Sequence, residues 1–326
     1  MSLTTVSSAP APPLERVDAR EVRRIALDLC VWGTEQVDDP EWIATVRHAG
    51  VTLPQALRRT LRTFRRDSGP TGTLLVRGLP VDGDSLPSTP NVNGSVQRIV
   101  TVPAAVLMLA ACELGEPAAF RAEKSGALVQ DVVPVPGKET FQGNAGSVLL
   151  SFHNENAFHA HRPDYVMLLC LRPDHDGVAG LRTVCARQVL PLLGEETRQA
   201  LFSREFVTDP PPSFGGGGGA TAPHAVFRGA PEDPDMRVDL AATTPLTPRA
   251  AAALVELAQV FDRTASVVRL AAGDLAIVDN RVAAHGRTAF QPRYDGADRW
   301  LQRTFVATDL RRSRDHRPRD GYVLDR

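Results

Sequence analysis

The segment Phe152-His153-Asn154-Glu155 sets an imidazole and a carboxylate two residues apart. On an extended chain, residues i and i+2 leave from one face, so both side chains can reach one metal ion. Alone the pair says little, since His–Glu neighbours are common on surfaces. A second histidine from another strand would complete a two-histidine, one-carboxylate face and leave three coordination positions for substrate and O₂. His285 suits this role. It lies in Asn280-Arg281-Val282-Ala283-Ala284-His285-Gly286-Arg287, after a strand entered through the Gly273-Asp274 turn. His159 and His161 are the rivals, but they share one loop, and a rigid site is better built from two strands. Otherwise His285 is an ordinary loop histidine.

In Asp298-Arg299-Trp300-Leu301-Gln302-Arg303-Thr304-Phe305, alternation puts Arg299, Leu301 and Arg303 on one strand face. Two guanidiniums looking inward are costly unless they meet anions. Arginine is suited to gripping carboxylates bidentately. A dicarboxylate co-substrate together with the carboxylate of an amino acid would supply two such anions. The alternative is that one or both arginines face water or pair with Asp295 or Asp298.

The elements that must position these groups can be read from periodicity. Helical spacing marks Asp18 to Trp32, then Pro54 to Arg66 with Thr52 as cap, Val102 to Leu114, Gln188 to Phe202, and a helix opened by Thr247 and Pro248. Short strand-like runs are Thr73 to Val76, Ala127 to Val133, Val148 to Phe152, Val267 to Leu270, Leu275 to Val278 and Arg299 to Ala307. Tyr165 to Leu171 is continuously apolar and suits a strand covered on both faces. Asp209 to His224 holds three consecutive prolines, Pro210 to Pro212, then five consecutive glycines, Gly215 to Gly219, and reads as a mobile surface loop or an active-site lid. Many short strands with a few helices predict an α+β, mainly β fold: a jelly-roll core with flanking helices.

Composition limits the function classes. The 326 residues carry a formal net charge of −1, so no overall basic field attracts nucleic acid or anionic lipid. No apolar run is long enough to span a bilayer. Cys30, Cys112, Cys170 and Cys185 form no CxxC pair and read as buried free thiols of a cytoplasmic protein. Residues 1–15 read as a flexible tail without a signal peptide. Residues 16–326 read as a single domain, with a helical part over 16–115 and the jelly-roll core over about 116–310.

At this point the pattern resembles a known family. His153-Asn154-Glu155-Asn156-Ala157-Phe158-His159, Arg162-Pro163-Asp164-Tyr165-Val166 and Cys170-Leu171-Arg172 resemble the metal segment of clavaminate synthase-like oxygenases, in the TauD-type superfamily. Asp279-Asn280-Arg281, His285-Gly286-Arg287, Tyr294-Asp295-Gly296 and Asp298 to Arg303 match a second segment. The segments also resemble those of close members of that group, the arginine and asparagine β-hydroxylases of peptide-antibiotic pathways, which likewise use Glu where most relatives carry Asp.

The resemblance implies a double-stranded β-helix holding Fe(II) through His153, Glu155 and His285, with 2-oxoglutarate and O₂ as co-substrates. It implies that Arg299 and Thr183 hold the far carboxylate of 2-oxoglutarate. It places Arg303, Asp239, Glu123, Asn144 and Ser147 against the substrate. Relatives that grip free arginine carry a second carboxylate where this chain has Arg237, so a neutral or acidic side chain is favoured over a cationic one. Retention of Glu155 implies hydroxylation, desaturation or cyclisation rather than halogenation. The expected substrate is a small amino-acid-like molecule: a free amino acid, a carrier-protein-tethered aminoacyl group or a cyclic dipeptide. Two readings of other kinds compete: a zinc-dependent hydrolase on the same ligands, and a non-catalytic jelly-roll binding protein.

Overall fold

The computed structural model describes residues 18–31, 36–214 and 219–325. The expected tail over 1–15, Trp32 and Gly215 to Gly218 lie outside them. Helices open the chain: α1 (Ala19–Val31), α2 (Pro40–Ala49), α3 (Gln55–Arg66), then strand β1 (Thr73–Val76) and α4 (Val102–Leu114). The periodicity did not reveal α2, although Asp39 caps it, accepting from the Glu41 N–H, and Pro40 opens it. Thr52 does not cap α3. Pro54 occupies that position, and the Thr52 hydroxyl donates to the Ala49 carbonyl instead.

The strands follow: β2 (Glu116–Phe120), β3 (Gln130–Val132), β4 (Leu150–His153), β5 (Tyr165–Arg172) and β6 (Gly180–Cys185). The expected helix from Gln188 to Phe202 is broken. It is a short α5 (Ala186–Val189), a 3₁₀ turn holding Pro191, and α6 (Glu195–Leu201), which starts after Gly194. Then come β7 (Phe206–Thr208), β8 (Phe227–Ala230), β9 (Asp233–Met236), β10 (Thr243–Pro245) and α7 (Pro248–Thr264), which Thr247 caps as expected. The chain ends with β11 (Ser266–Arg269), β12 (Leu275–Asp279), β13 (Ala283–Arg287), β14 (Trp300–Ala307) and β15 (Val323–Leu324).

Two sheets dominate. The larger runs β1-β12-β5-β14-β2-β15, with β3 also on β14; the smaller runs β11-β6-β13-β4. Alternation along the strands sorts the side chains into three cores. Met167, Leu169 and Leu171 of β5, with Leu275 and Ile277 of β12, pack on α1 to α4. Val166, Leu168 and Cys170, with Ala276, Val278, Leu301 and Phe305, meet Leu181 and Ala283 of the smaller sheet. Phe152, Val184 and Ala284, on the outer face of that sheet, pack on α6 and α7. The order is thus helices, large sheet, small sheet, helices, and β5 is covered on both faces as its continuous apolar run requires.

This layering positions the polar residues. On β13, Ala283 faces the space between the sheets, so the period of two sends His285 and Arg287 there too. On β6, Leu181 brings Thr183 with it; on β14, Leu301 brings Arg303. Among the described residues, no helix is long and apolar enough to cross a membrane. Cys112, Cys170 and Cys185 are at least partly buried, but Cys30 is exposed, contrary to expectation; all four thiols are free.

Candidate metal centre and active site

His285 and His153 face each other directly across the β13–β4 pairing, with Thr183 of β6 opposite His285 on the other side. Their rings lie 4.4 Å apart, centroid to centroid. Such close approach requires Gly286: a Cβ there would sit 2.5 Å from the Leu150 carbonyl oxygen of β4. Glu155 reaches the same point from beyond the end of β4, with its Oε2 3.6 Å from His285 Nε2. One donor atom from each of His153, Glu155 and His285 falls within 4.8 Å of the other two.

The Glu155 backbone is held by a pair of buried asparagines. Asn280 Oδ1 accepts from the Glu155 N–H at 2.7 Å, while its Nδ2 donates to the Glu155 and Pro163 carbonyls. Asn154 Nδ2 donates to the carbonyls of Asn280 and Ala283, and its Oδ1 accepts from the Val238 N–H. Both asparagines are at most 1% exposed. They join the metal segment to the turn between β12 and β13 and to the segment carrying Val238 and Asp239, which follows β9. Sequence spacing assigns neither a role, because the two lie 126 residues apart and meet only in the fold.

Arg303 stands at the centre of the charges. Its guanidinium donates to Glu155 Oε1 at 3.0 Å and is also bonded to Glu123 and Gln130. With the Asn144 side-chain oxygen turned toward it, Arg303 donates there at 3.0 and 3.1 Å. Burial works against ionisation of Glu155, but Arg303 and the two histidines outweigh it and hold the carboxyl well below its usual range. Burial raises the Glu123 carboxyl despite Arg303, and its Oε2 is buried without a partner. Burial, then the neighbouring His153, lowers His285 and favours its neutral, metal-binding form. The His153 Nδ1 donates to the Ser151 carbonyl at 2.9 Å, which fixes the tautomer and leaves Nε2 as a lone-pair donor.

The donor set therefore fits a divalent ion: one buried carboxylate and two imidazoles on one side, with an open cavity on the other. That cavity measures about 370 Å³ and is lined by Glu123, Asn144, His153, Glu155, Phe214 and Asp239, among others. Pro210 to Phe214, from the loop expected to be mobile or a lid, form part of its wall. Phe214 packs edge-on to Phe158 at 4.7 Å.

Arg299 and Arg303 pair with neither Asp295 nor Asp298: Asp295 meets His175, and Asp298 accepts from the Arg293 N–H. Arg299 is buried beside the Phe290 ring. The rival histidines lie elsewhere. His159 packs against Phe120 and Phe158, and His161 groups at the surface with His316 and Asp315. Ser147 does not line the cavity; its carbonyl accepts from the Phe290 N–H.

Arg237 also points away from the cavity, donating to the Ala157 and Phe158 carbonyls from behind its wall. It borders a separate hollow of about 800 Å³ that contains none of the three metal-binding candidates. The expected repulsion between Arg237 and a cationic substrate therefore does not arise.

Residues 40–305 match the model of the taurine catabolism dioxygenase TauD, TfdA family. The chain belongs to that family. It is 63% identical over 311 residues to an L-asparagine oxygenase of Streptomyces coelicolor, covering 95% of this chain and 93% of the relative. It is 38% identical to clavaminate synthase 2 of Streptomyces clavuligerus, over 79% of this chain and 80% of that one. A crystal structure of asparagine oxygenase with Fe(II), 2S,3S-3-hydroxyasparagine and succinate superposes with a TM-score of 0.93 at 63% identity. It covers 95% of this chain and 97% of that chain.

Proposed function

We propose that this chain is an Fe(II)- and 2-oxoglutarate-dependent hydroxylase of a free α-amino acid, with L-asparagine the favoured substrate. The observation that carries the reading is the convergence of His153, Glu155 and His285 beside the Arg303–Glu123 pair. Kinship with an L-asparagine oxygenase supports the substrate. The two facing, mainly antiparallel sheets support a double-stranded β-helix core over about 116–310, within one oxygenase domain that includes the helical 16–115 segment.

His153, Glu155 and His285 would hold the iron. Bound there, Fe(II) with 2-oxoglutarate and O₂ supplies the oxidising power, turning the keto acid into succinate and CO₂ and placing one oxygen atom in a substrate C–H bond. Arg299, with Thr183, holds the far carboxylate of 2-oxoglutarate. Arg303 is the cation for the substrate carboxylate, and the unpartnered Glu123 Oε2 receives its ammonium group. Asn144 and Asp239 flank the side chain, where a neutral amide can both donate and accept. A cavity of about 370 Å³ suits a free amino acid, which favours it over a carrier-tethered group or a cyclic dipeptide.

The test is aerobic turnover of Fe(II)-loaded protein with 2-oxoglutarate and L-asparagine, following succinate and a 16-Da mass gain of the amino acid. His153→Ala should abolish both. Absence of asparagine-stimulated succinate sinks the substrate assignment. Absence of any 2-oxoglutarate binding by the iron-loaded protein sinks the oxygenase reading and favours a zinc hydrolase or a binding module.

A further inference from the structure

Arg287, two residues beyond His285, is 4% exposed and points between the sheets from β13. It has one hydrogen bond, from a terminal nitrogen to the Val148 carbonyl at 3.1 Å, and its Nε is buried without a partner. Its guanidinium lies 5.3 Å from the centre of the Phe290 ring. The Arg299 guanidinium lies 5.7 Å from the centre of the same ring. Neither makes an ion pair with a carboxylate among the described residues. Asp174, an acidic group near Arg299, spends its two oxygens on the Val178 and Ala179 N–H groups.

Two desolvated cations on one aromatic ring are unfavourable unless an anion joins them. A single guanidinium suffices to grip one carboxylate, so the second needs its own explanation. We infer that Arg287 is a second cation of the subsite for the far carboxylate of the co-substrate, which sits between Arg287 and Arg299. The inference rests on the 2-oxoglutarate reading above and adds a residue to it. Arg287 then selects for a 2-oxo acid whose second carboxylate reaches this point, and acts through charge as well as by holding Phe290 and Val148 in place.

The experiment measures binding to Fe(II)-loaded protein under nitrogen by calorimetry, with 2-oxoglutarate and with 2-oxobutanoate, which lacks the far carboxylate. Arg287→Gln should weaken 2-oxoglutarate at least tenfold and leave 2-oxobutanoate unchanged, so the preference collapses. Arg287→Lys should restore part of it. If Arg287 only props Phe290, both acids weaken together and the ratio stays, which overturns the proposal; a normal melting temperature in Arg287→Lys keeps that comparison valid. Arg299→Gln separates the two levels. A ratio that falls in Arg299→Gln but not in Arg287→Gln removes Arg287 alone. A ratio unchanged in both removes the underlying assignment of Arg299 as well.

Discussion

Replacing Asn280 by Ala tests whether the buried amides position the metal carboxylate. The substitution deletes three hydrogen bonds and strands the Glu155 N–H and the Glu155 and Pro163 carbonyls in a region closed to water. At about 1 kcal/mol net for each bond, and more where the abandoned partner stays dry, the loss is about 3–5 kcal/mol. In a chain of this length roughly 2 °C accompanies each kcal/mol, so the melting temperature should fall by about 6–10 °C. Metal affinity should fall about 10- to 100-fold, as when a hydrogen-bond partner behind a ligand is removed.

Scanning calorimetry of the metal-free protein gives the first number, and competition for Fe(II) under nitrogen gives the second. Asn154→Ala should resemble it, since Asn154 donates to the Asn280 carbonyl. The double variant should fall short of the sum by about 0.5–3 kcal/mol. Additive losses would mean two independent supports. An Asn280→Ala protein that melts and binds metal like the parent would refute the clamp altogether.

Gly286→Ala should push β13 away from the Leu150 carbonyl at a cost of about 1–3 kcal/mol, and weaken metal binding by parting His285 from His153; metal titration reads this directly. Arg303→Met leaves Glu123 and Glu155 without their shared counter-charge. It should destabilise the protein by about 3–5 kcal/mol and remove measurable asparagine binding in calorimetry. Burial and Arg303 push Lys124 down to about 8. The unfolded chain therefore holds the extra proton between about pH 8 and 10.5, and the Lys124 contribution to stability should rise by about 3 kcal/mol across that window. Buried thiols titrate there too, so the reading is the difference in stability between the parent and Lys124→Met, which should shift in the parent's favour between pH 7.5 and 10.

The sequence made legible whatever follows from strand alternation. His153, His285 and Arg303 could be aimed at a common space because the period of two leaves each only two directions. The two-sided burial of Tyr165 to Leu171 followed the same logic. Residues between regular elements were not legible. The direction of Arg237 is set by carbonyls of a loop more than seventy residues earlier. Ser147 is displaced from the cavity by backbone bonds to Glu139 and Phe290. The paired amides of Asn154 and Asn280 acquire meaning only once β13 lies beside β4. The strand carrying Thr183, Gly180–Cys185, escaped notice because it opens on a glycine and an arginine interrupts its apolar run.

The cross-strand register of His153 and His285 has a consequence for how the protein lives with its metal. The two rings are neighbours through the β13–β4 pairing, and the amides fix Glu155 independently of any ion. Loading therefore orders little chain, and apo protein should persist as a folded receptacle. Iron can be acquired after synthesis, lost on oxidation and replaced, with each exchange leaving the polypeptide intact.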